Sequence, residues 1–327
     1  LGESARLPGD HPAFARQQSL GIVSIMGADL NGETYALLAA LTWAFGLVLF
    51  KISGERVPPL ALNLFKSTIA LSLLLLTLLV FGEGLDTLDE YAPEDLALLL
   101  VSGLVGIALA DTIFLRALNL IGVGLISITD CLYSPFVILC SILILSERLI
   151  LSQYIGTGMI MFAVFVSSTH APPGDKTRGQ LVMGMLMAGL SVGMMAFGIV
   201  IAKPCLELYD FPLIWATTLR LVAGTLVLAL LALASPLRKQ YWSVFKPAPV
   251  WKVSIPASVL GMYVAMILWV AGFKYTQAAI AGILNQTSTV FAVILATLIL
   301  KERFTTRKLM AVILAIAGVA LVALEPF

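Results

Sequence analysis

Charge is what this 327-residue chain has least of. Only 12% of its residues are Asp, Glu, Lys or Arg, against roughly 25% in an ordinary soluble domain. With 60% hydrophobic residues and a mean hydropathy of +1.00, a soluble fold would have to hide more apolar surface than a chain of this length can bury. A net charge of +1 leaves no electrostatic footprint for nucleic acid, so that partner is not expected. The three cysteines, Cys131, Cys140 and Cys205, show no CxxC spacing, which excludes a disulfide framework and a metal site of that type. Both histidines, His11 and His170, lie outside the apolar runs, and HExxH does not occur. No metal, cofactor or catalytic residue is therefore expected, and an enzyme is disfavoured.

What is present is a succession of apolar runs. A helix needs roughly 20 predominantly apolar residues to cross a ~30 Å hydrocarbon core. Ten such runs fall near 34–51, 59–81, 96–118, 122–145, 152–168, 180–202, 212–234, 251–273, 278–300 and 308–324. Leu, Ala, Val, Ile and Gly fill them without strand-like alternation, so helices are preferred to a barrel. The expectation is an all-α, multi-pass membrane protein with the lipid bilayer as its surroundings. Polar surface is confined to residues 1–33, the acidic stretch 82–95, the linker near 169–179 and the segment 235–250. The first segment lacks a signal-peptide core and begins without Met, so the terminus reads as trimmed or incomplete.

The chain also repeats itself. FGLVLFK at 45–51 matches FGIVIAK at 197–203 with a shift of 152, and LILSER at 143–148 matches LILKER at 298–303 with a shift of 155. Phe136 and Gly106 find partners in Phe291 and Gly261 at the latter shift. Two matches in one order divide the chain into a first repeat at 34–168 and a second at 180–327, each with five spans. An odd number of crossings starts the second copy from the opposite side. The halves are then expected to be inverted repeats, an arrangement suited to alternating access.

Ten spans in two five-helix halves, each with an apolar helix ending in Ser-Glu-Arg-Leu or Lys-Glu-Arg-Phe, resemble the EamA family of the drug/metabolite transporter superfamily. In both halves a polar turn and a short Gly-containing helix (Gly156 and Gly158; Gly318) follow. The resemblance extends over residues 34–324. It implies export or exchange of small metabolites, often amino acids, driven by an ion gradient or by the solute's own.

Four ionisable residues lie well inside the spans: Lys66, Asp111, Asp130 and Arg220. Each costs at least ~2.5–3.5 kcal/mol on insertion scales and so calls for a reason. Lys66 is eight residues past Pro58, Asp111 eight before Asn119 and Asp130 eight after Gly122. At 1.5 Å per residue all three sit roughly 12 Å from one face, where they could form a paired network. Arg220 and Asn285 are measured from the other face and are the repeat mates of Lys66 and Asp130. The two levels straddle the midplane, where transporters of this architecture bind substrate. A structural ion pair between Lys66 and one of the acids is the competing explanation. Asp111 faces Met266 across the repeat and so has no acidic mate, which makes it the proton-coupling candidate.

Tyr133 and Gln286 neighbour Asp130 and Asn285 and are expected to supply hydrogen bonds, with Thr287 beside them. Trp43 and Trp269 lie near mid-span and either line a pocket or simply pack. Pro135 is expected to kink the fourth span and free a carbonyl near Cys131. Gly189 and Gly193 allow close helix approach, by packing or by dimerisation. Lys51 and Lys203, and the pairs Glu147-Arg148 and Glu302-Arg303, sit at helix ends where snorkelling or turn formation explains them.

Orientation is contested. Termini facing out would put thirteen Lys and Arg residues on the cytoplasmic side against five outside, as the positive-inside rule favours. The family resemblance implies termini facing in. The functional expectation is a secondary transporter of small polar metabolites in the plasma (inner) membrane, acting as monomer or homodimer. Its expected substrates are amino acids or related zwitterions, held by Lys66, Asp111, Asp130, Tyr133, Arg220, Asn285, Gln286, Trp43 and Trp269. The main alternative is a sugar-phosphate or nucleotide-sugar exchanger clamping its anion between Lys66 and Arg220. A membrane-embedded enzyme and a non-transporting scaffold are the remaining alternatives.

Overall fold

A computed structural model describes residues 31–81, 88–89, 91–145, 151–168, 177–208, 211–275, 278–301 and 305–323. The described chain is helical throughout. Helix α1 (Gly32–Gly54) starts where the Asn31 side chain accepts the Thr34 amide at 3.1 Å, satisfying one of the orphan donors of the first turn. After α2 (Pro59–Phe81), α3 (Pro93–Gly103) opens with Pro at its first position, where a missing N–H costs nothing. It passes through a π-helical stretch (Leu104–Ala110) into α4 (Asp111–Asp130). Helices α5 (Tyr133–Leu145) and α6 (Leu151–Ser168) complete the first half.

The second half contains α7 (Arg178–Leu208), α8 (Leu213–Ala234) and a short α9 (Arg238–Trp242) with a 3₁₀ turn (Ser243–Phe245). Helix α10 (Trp251–Ser258) runs through a second π stretch (Val259–Val264) into α11 (Ala265–Tyr275), followed by α12 (Ala278–Ile299) and α13 (Thr306–Ala323). The two π stretches begin at Leu104 and Val259, a shift of 155, and each contains the glycine matched across the repeat, Gly106 or Gly261.

Among the described residues, six helical stretches are long and apolar enough to cross a membrane: Gly32–Gly54, Pro59–Val80, Pro93–Asp130, Arg178–Leu206, Leu213–Ala234 and Trp251–Tyr275. Shorter apolar helices lie at Tyr133–Ile144, Leu284–Ile299 and Leu309–Gly318. The boundary expected at 119–122 is not a loop. The helix continues across it through one residue, Gly122, with φ 81° and ψ 173°, a backbone conformation that only glycine adopts without a Cβ clash.

Packing between the halves is reciprocal. Helix α1 lies against α10, α11 and α12, while its repeat mate α7 lies against α3, α4 and α5. Helix α2 meets its mate α8, and α6 meets its mate α13. Each of these contacts has its counterpart when repeat-related helices are exchanged. Small residues make the crossings close: Ala36, Ala39, Ala40 and Ala44 form the buried face of α1. A Cβ built on Gly46 would overlap the Gly261 backbone, and the reverse substitution meets Gly46 Cα at 2.8 Å. The equivalent crossing, Gly198 on Gly106, is wider, with Gly106 Cα at 3.6 Å from the Gly198 Cβ position.

One sequence expectation is corrected here, and one of two alternatives is chosen. The fourth span is not kinked at Pro135. The helix ends at Asp130, turns through Cys131 and Leu132, and restarts at Tyr133, which puts Pro135 in the first turn of α5. Proline has no N–H for the Cys131 carbonyl and its ring crowds that carbonyl, so the discontinuity falls one turn upstream of the ring. In the second half Val290 takes the place of Pro135, and α12 runs unbroken. Gly189 and Gly193 serve packing within the chain: a Cβ built on Gly193 would lie 3.6 Å from the Phe136 ring, and one on Gly189 would lie 3.8 Å from Leu132. The pairs Glu147-Arg148 and Glu302-Arg303 and most of the linker lie outside the described residues.

Candidate functional site

The deep charges occupy unequal environments. Lys66, in the middle of α2, is buried, and its Nζ lies 2.5 Å from Asp111 Oδ2. Nζ also donates to Met262 Sδ at 3.2 Å and stands 5.7 Å from the centroid of the Phe50 ring. The π stretch presents Asp111 to Lys66. Widening the helix from Leu104 to Ala110 frees carbonyls, and Asn63, one turn before Lys66, captures them. Its Nδ2 donates to Ile107 O at 2.8 Å and to Thr112 Oγ1 at 2.9 Å. Sequence inspection missed Asn63. A polar residue one turn from a mid-span lysine was the available signal.

Arg220 has no such partner. It is 3% exposed, and its Nε and Nη1 find no hydrogen-bond acceptor among the described residues. Its guanidinium stands 5.2 Å from the Trp269 ring centroid, a cation–π contact that substitutes only in part for an anion. Glycines make its room. A Cβ on Gly103 would overlap the Arg220 backbone, and one on Gly106 would lie 3.7 Å from Nη2. Met266 holds the position that Asp111 holds in the first half.

Around Arg220 opens a cavity with about 850 Å³ of empty space including its mouth. Arg220, Asp111, Asp130, Tyr133, Asn285 and Gln286 supply its polar wall. Trp43, Trp269, Met195, Met262 and Met266 supply much of the apolar one, and Ala39, Ala40 and Ala265 leave it wide. Trp43 is braced by Phe114 at 5.9 Å between ring centroids, and Trp269 by Phe273 at 5.1 Å. Of the nine residues expected to bind substrate, Lys66 alone is not in this wall: it stands behind Asp111. Thr287 is also turned away and donates to Leu284 O of its own helix at 2.6 Å.

The break between α4 and α5 forms one side of the cavity. Its freed carbonyls are caught by the unbroken mate helix, Gln286 Nε2 donating to Asp130 O at 3.4 Å and Thr289 Oγ1 to Ser127 O at 3.0 Å. The Asp130 carboxylate has no ion pair within 4.0 Å among the described residues. The Tyr133 hydroxyl, Asn285 Nδ2 and Gln286 Oε1 are buried without a partner. Such groups are costly to leave unmet. A cavity that collects a cation, an acid and several open hydrogen-bonding atoms is suited to hold a polar solute. Lys51 and Lys203 stay at helix ends: Lys51 Nζ donates to Asn119 O at 3.4 Å.

Comparison with known proteins agrees with this architecture. One solved structure, described only as a crystal structure of a protein, superposes with a TM-score of 0.65 at 19% identity. The match covers 89% of this chain and 95% of that one, and it speaks for the fold alone. No curated protein matches the chain. The profile of the EamA-like transporter family matches twice, over residues 30–169 and 182–324, one match to each half defined by the repeat. The chain is a multi-pass membrane protein and belongs to the EamA-like transporter family.

Proposed function

We propose that this protein is a secondary transporter of small zwitterions, amino acids or close relatives, working by alternating access across ten spans in two inverted five-helix repeats. The observation that carries this is the unequal treatment of the two repeat-related cations. Lys66 is neutralised by Asp111, whereas Arg220 faces the cavity with open donors. Once Lys66 and Asp111 cancel, Arg220 and Asp130 remain as one positive and one negative group on a shared wall. A carboxylate on Arg220 and an ammonium on Asp130 would leave no charge uncompensated in a low-dielectric site, where an unpaired charge is expensive. Trp43, Trp269 and the methionines would receive the remainder of the solute.

A sugar-phosphate or nucleotide-sugar exchanger needs two cations on one anion. That reading requires Lys66 to leave Asp111, and Lys66 is not in the cavity wall. Asp111 is the proposed proton-coupling group: it is a deep acid in the cavity wall, and its repeat position holds Met266. The plasma membrane is the proposed location, and a monomer suffices for the site. The deciding experiment is counterflow in proteoliposomes with pooled labelled amino acids. Exchange is expected in the wild type and should be lost in Arg220→Ala. It should also be lost in Met266→Asp, which supplies Arg220 with the internal partner that Lys66 already has. Exchange of sugar phosphates but not amino acids would overturn the assignment.

A further inference from the structure

The connection between α8 and α10 carries a surface that the transport site does not use. Between Asp210 and Glu302 the chain has no acidic residue, yet residues 235–252 contain Arg238, Lys239, Lys246 and Lys252, all exposed. None of the four has an ion pair within 4.0 Å among the described residues. The repeat-equivalent connection between α2 and α3 has the opposite character, with Glu83, Asp86, Asp89, Glu90, Glu94 and Asp95 and no base. Duplication alone would have left the two connections alike. One of them has become wholly basic.

The basic connection is also built, not slack. Trp251 Nε1 donates to Val244 O at 2.8 Å, and Ser243 Oγ donates to Gln240 O at 2.6 Å. Phe245 stacks on Phe65 of α2 at 5.7 Å between centroids, and Phe65 meets Trp251 at 5.6 Å. Trp242 packs on Phe245 at 5.6 Å while remaining 39% exposed. On the adjoining helix, Leu226, Leu230 and Leu233 are exposed at i, i+4 and i+7, a stripe on one face of α8, and Leu237 is exposed in the connection that follows. Acyl chains cover such a stripe in a bilayer, and Trp at its end marks the headgroup level.

We infer that this connection is a binding site for an anionic phospholipid, with the acyl chains along the leucine stripe of α8 and the phosphate among Arg238, Lys239, Lys246 and Lys252. Lysine and arginine stems can lie over apolar surface while their heads reach the phosphate plane. Fixed backbone on both sides of the cations reduces the ordering cost of binding. The apolar stripe beside the cations selects a lipid over a free phosphate ion.

The test uses the full chain in neutral detergent, titrated with dioleoyl phosphatidylglycerol or dioleoyl phosphatidylcholine and read by native mass spectrometry. Phosphatidylglycerol should bind tighter by at least about tenfold, since each basic residue near an anionic surface contributes about 1 kcal/mol. Replacing Arg238, Lys239, Lys246 and Lys252 together by Gln should abolish that preference. A control with the exposed Arg56, Arg116, Arg178 and Arg307 replaced by Gln should keep it. Equal loss in both variants would mean diffuse attraction and would overturn the site. So would displacement of the lipid by millimolar inorganic phosphate. Thermal unfolding of both variants in phosphatidylcholine micelles checks the fold. If the basic-connection variant unfolds early, Leu230→Ser/Leu233→Ser must reduce phosphatidylglycerol binding, and unchanged binding there would equally overturn the proposal.

Discussion

Lys66 and Asp111 meet at 2.5 Å across the interface of α2 and α4, in a place where both are buried. The attraction between them offsets the cost of removing two charges from water only while both remain. Losing one partner strands the other.

Single replacements Lys66→Met and Asp111→Leu should therefore each destabilise the protein by about 3–5 kcal/mol, and the double replacement Lys66→Met/Asp111→Leu should recover most of that loss. Thermal unfolding in detergent decides it. Additive losses in the double variant would mean that the pair contributes nothing as a pair.

Transport separates this pair from a purely structural one. Asp111→Asn should abolish accumulation driven by a pH gradient while leaving solute exchange partly intact, because the amide cannot cycle a proton. Proteoliposomes with and without an imposed gradient measure both. A normal pH dependence in the variant would return Asp111 to a structural role.

Arg220 should behave in the opposite sense. Its Nε and Nη1 have no partner to strand, so Arg220→Leu should raise thermal stability while solute binding falls. Charge-assisted hydrogen bonds of about 1.5–3 kcal/mol correspond to a loss in affinity of about 10- to 150-fold. Paired unfolding and binding measurements on one preparation would show the trade-off.

At the break between α4 and α5, Thr289→Val should cost about 1 kcal/mol by leaving Ser127 O with one donor fewer. Pro135→Ala should favour a continuous helix, as Val290 does in the mate. Hydrogen exchange should then slow at residues 131–136. Unchanged exchange would show that the turn at Cys131 and Leu132 does not depend on proline.

Much of this was legible in sequence, for identifiable reasons. Hydropathy marks spans because a bilayer demands length, and the match of FGLVLFK to FGIVIAK survived because Gly46 and Gly198 both stand at helix crossings. Depth was legible too: counting residues from Pro58 and Asn119 put Lys66 and Asp111 at one level, and they are paired. Azimuth was not. Counting cannot say that Lys66 turns behind Asp111 while Asp130, at the same level, faces the cavity. The π stretches were also hidden, since no residue type specifies them, although they place Asp111 and bring Gly261 to Gly46. Pro135 announced a discontinuity but not its position one turn upstream.

Gly46–Gly261 and Gly198–Gly106 are one contact made twice, once closed and once slightly ajar. Because all four positions lack a side chain, the proposed alternating-access cycle could close either crossing without a Cβ in the way. Gly46→Ala should fix the first crossing open and Gly198→Ala the second, each by an overpacking cost of about 1–3 kcal/mol imposed on one arrangement only. A cysteine pair set across each crossing would then report opposite changes in reactivity for the two substitutions, so that the two gaps act as the pans of one balance.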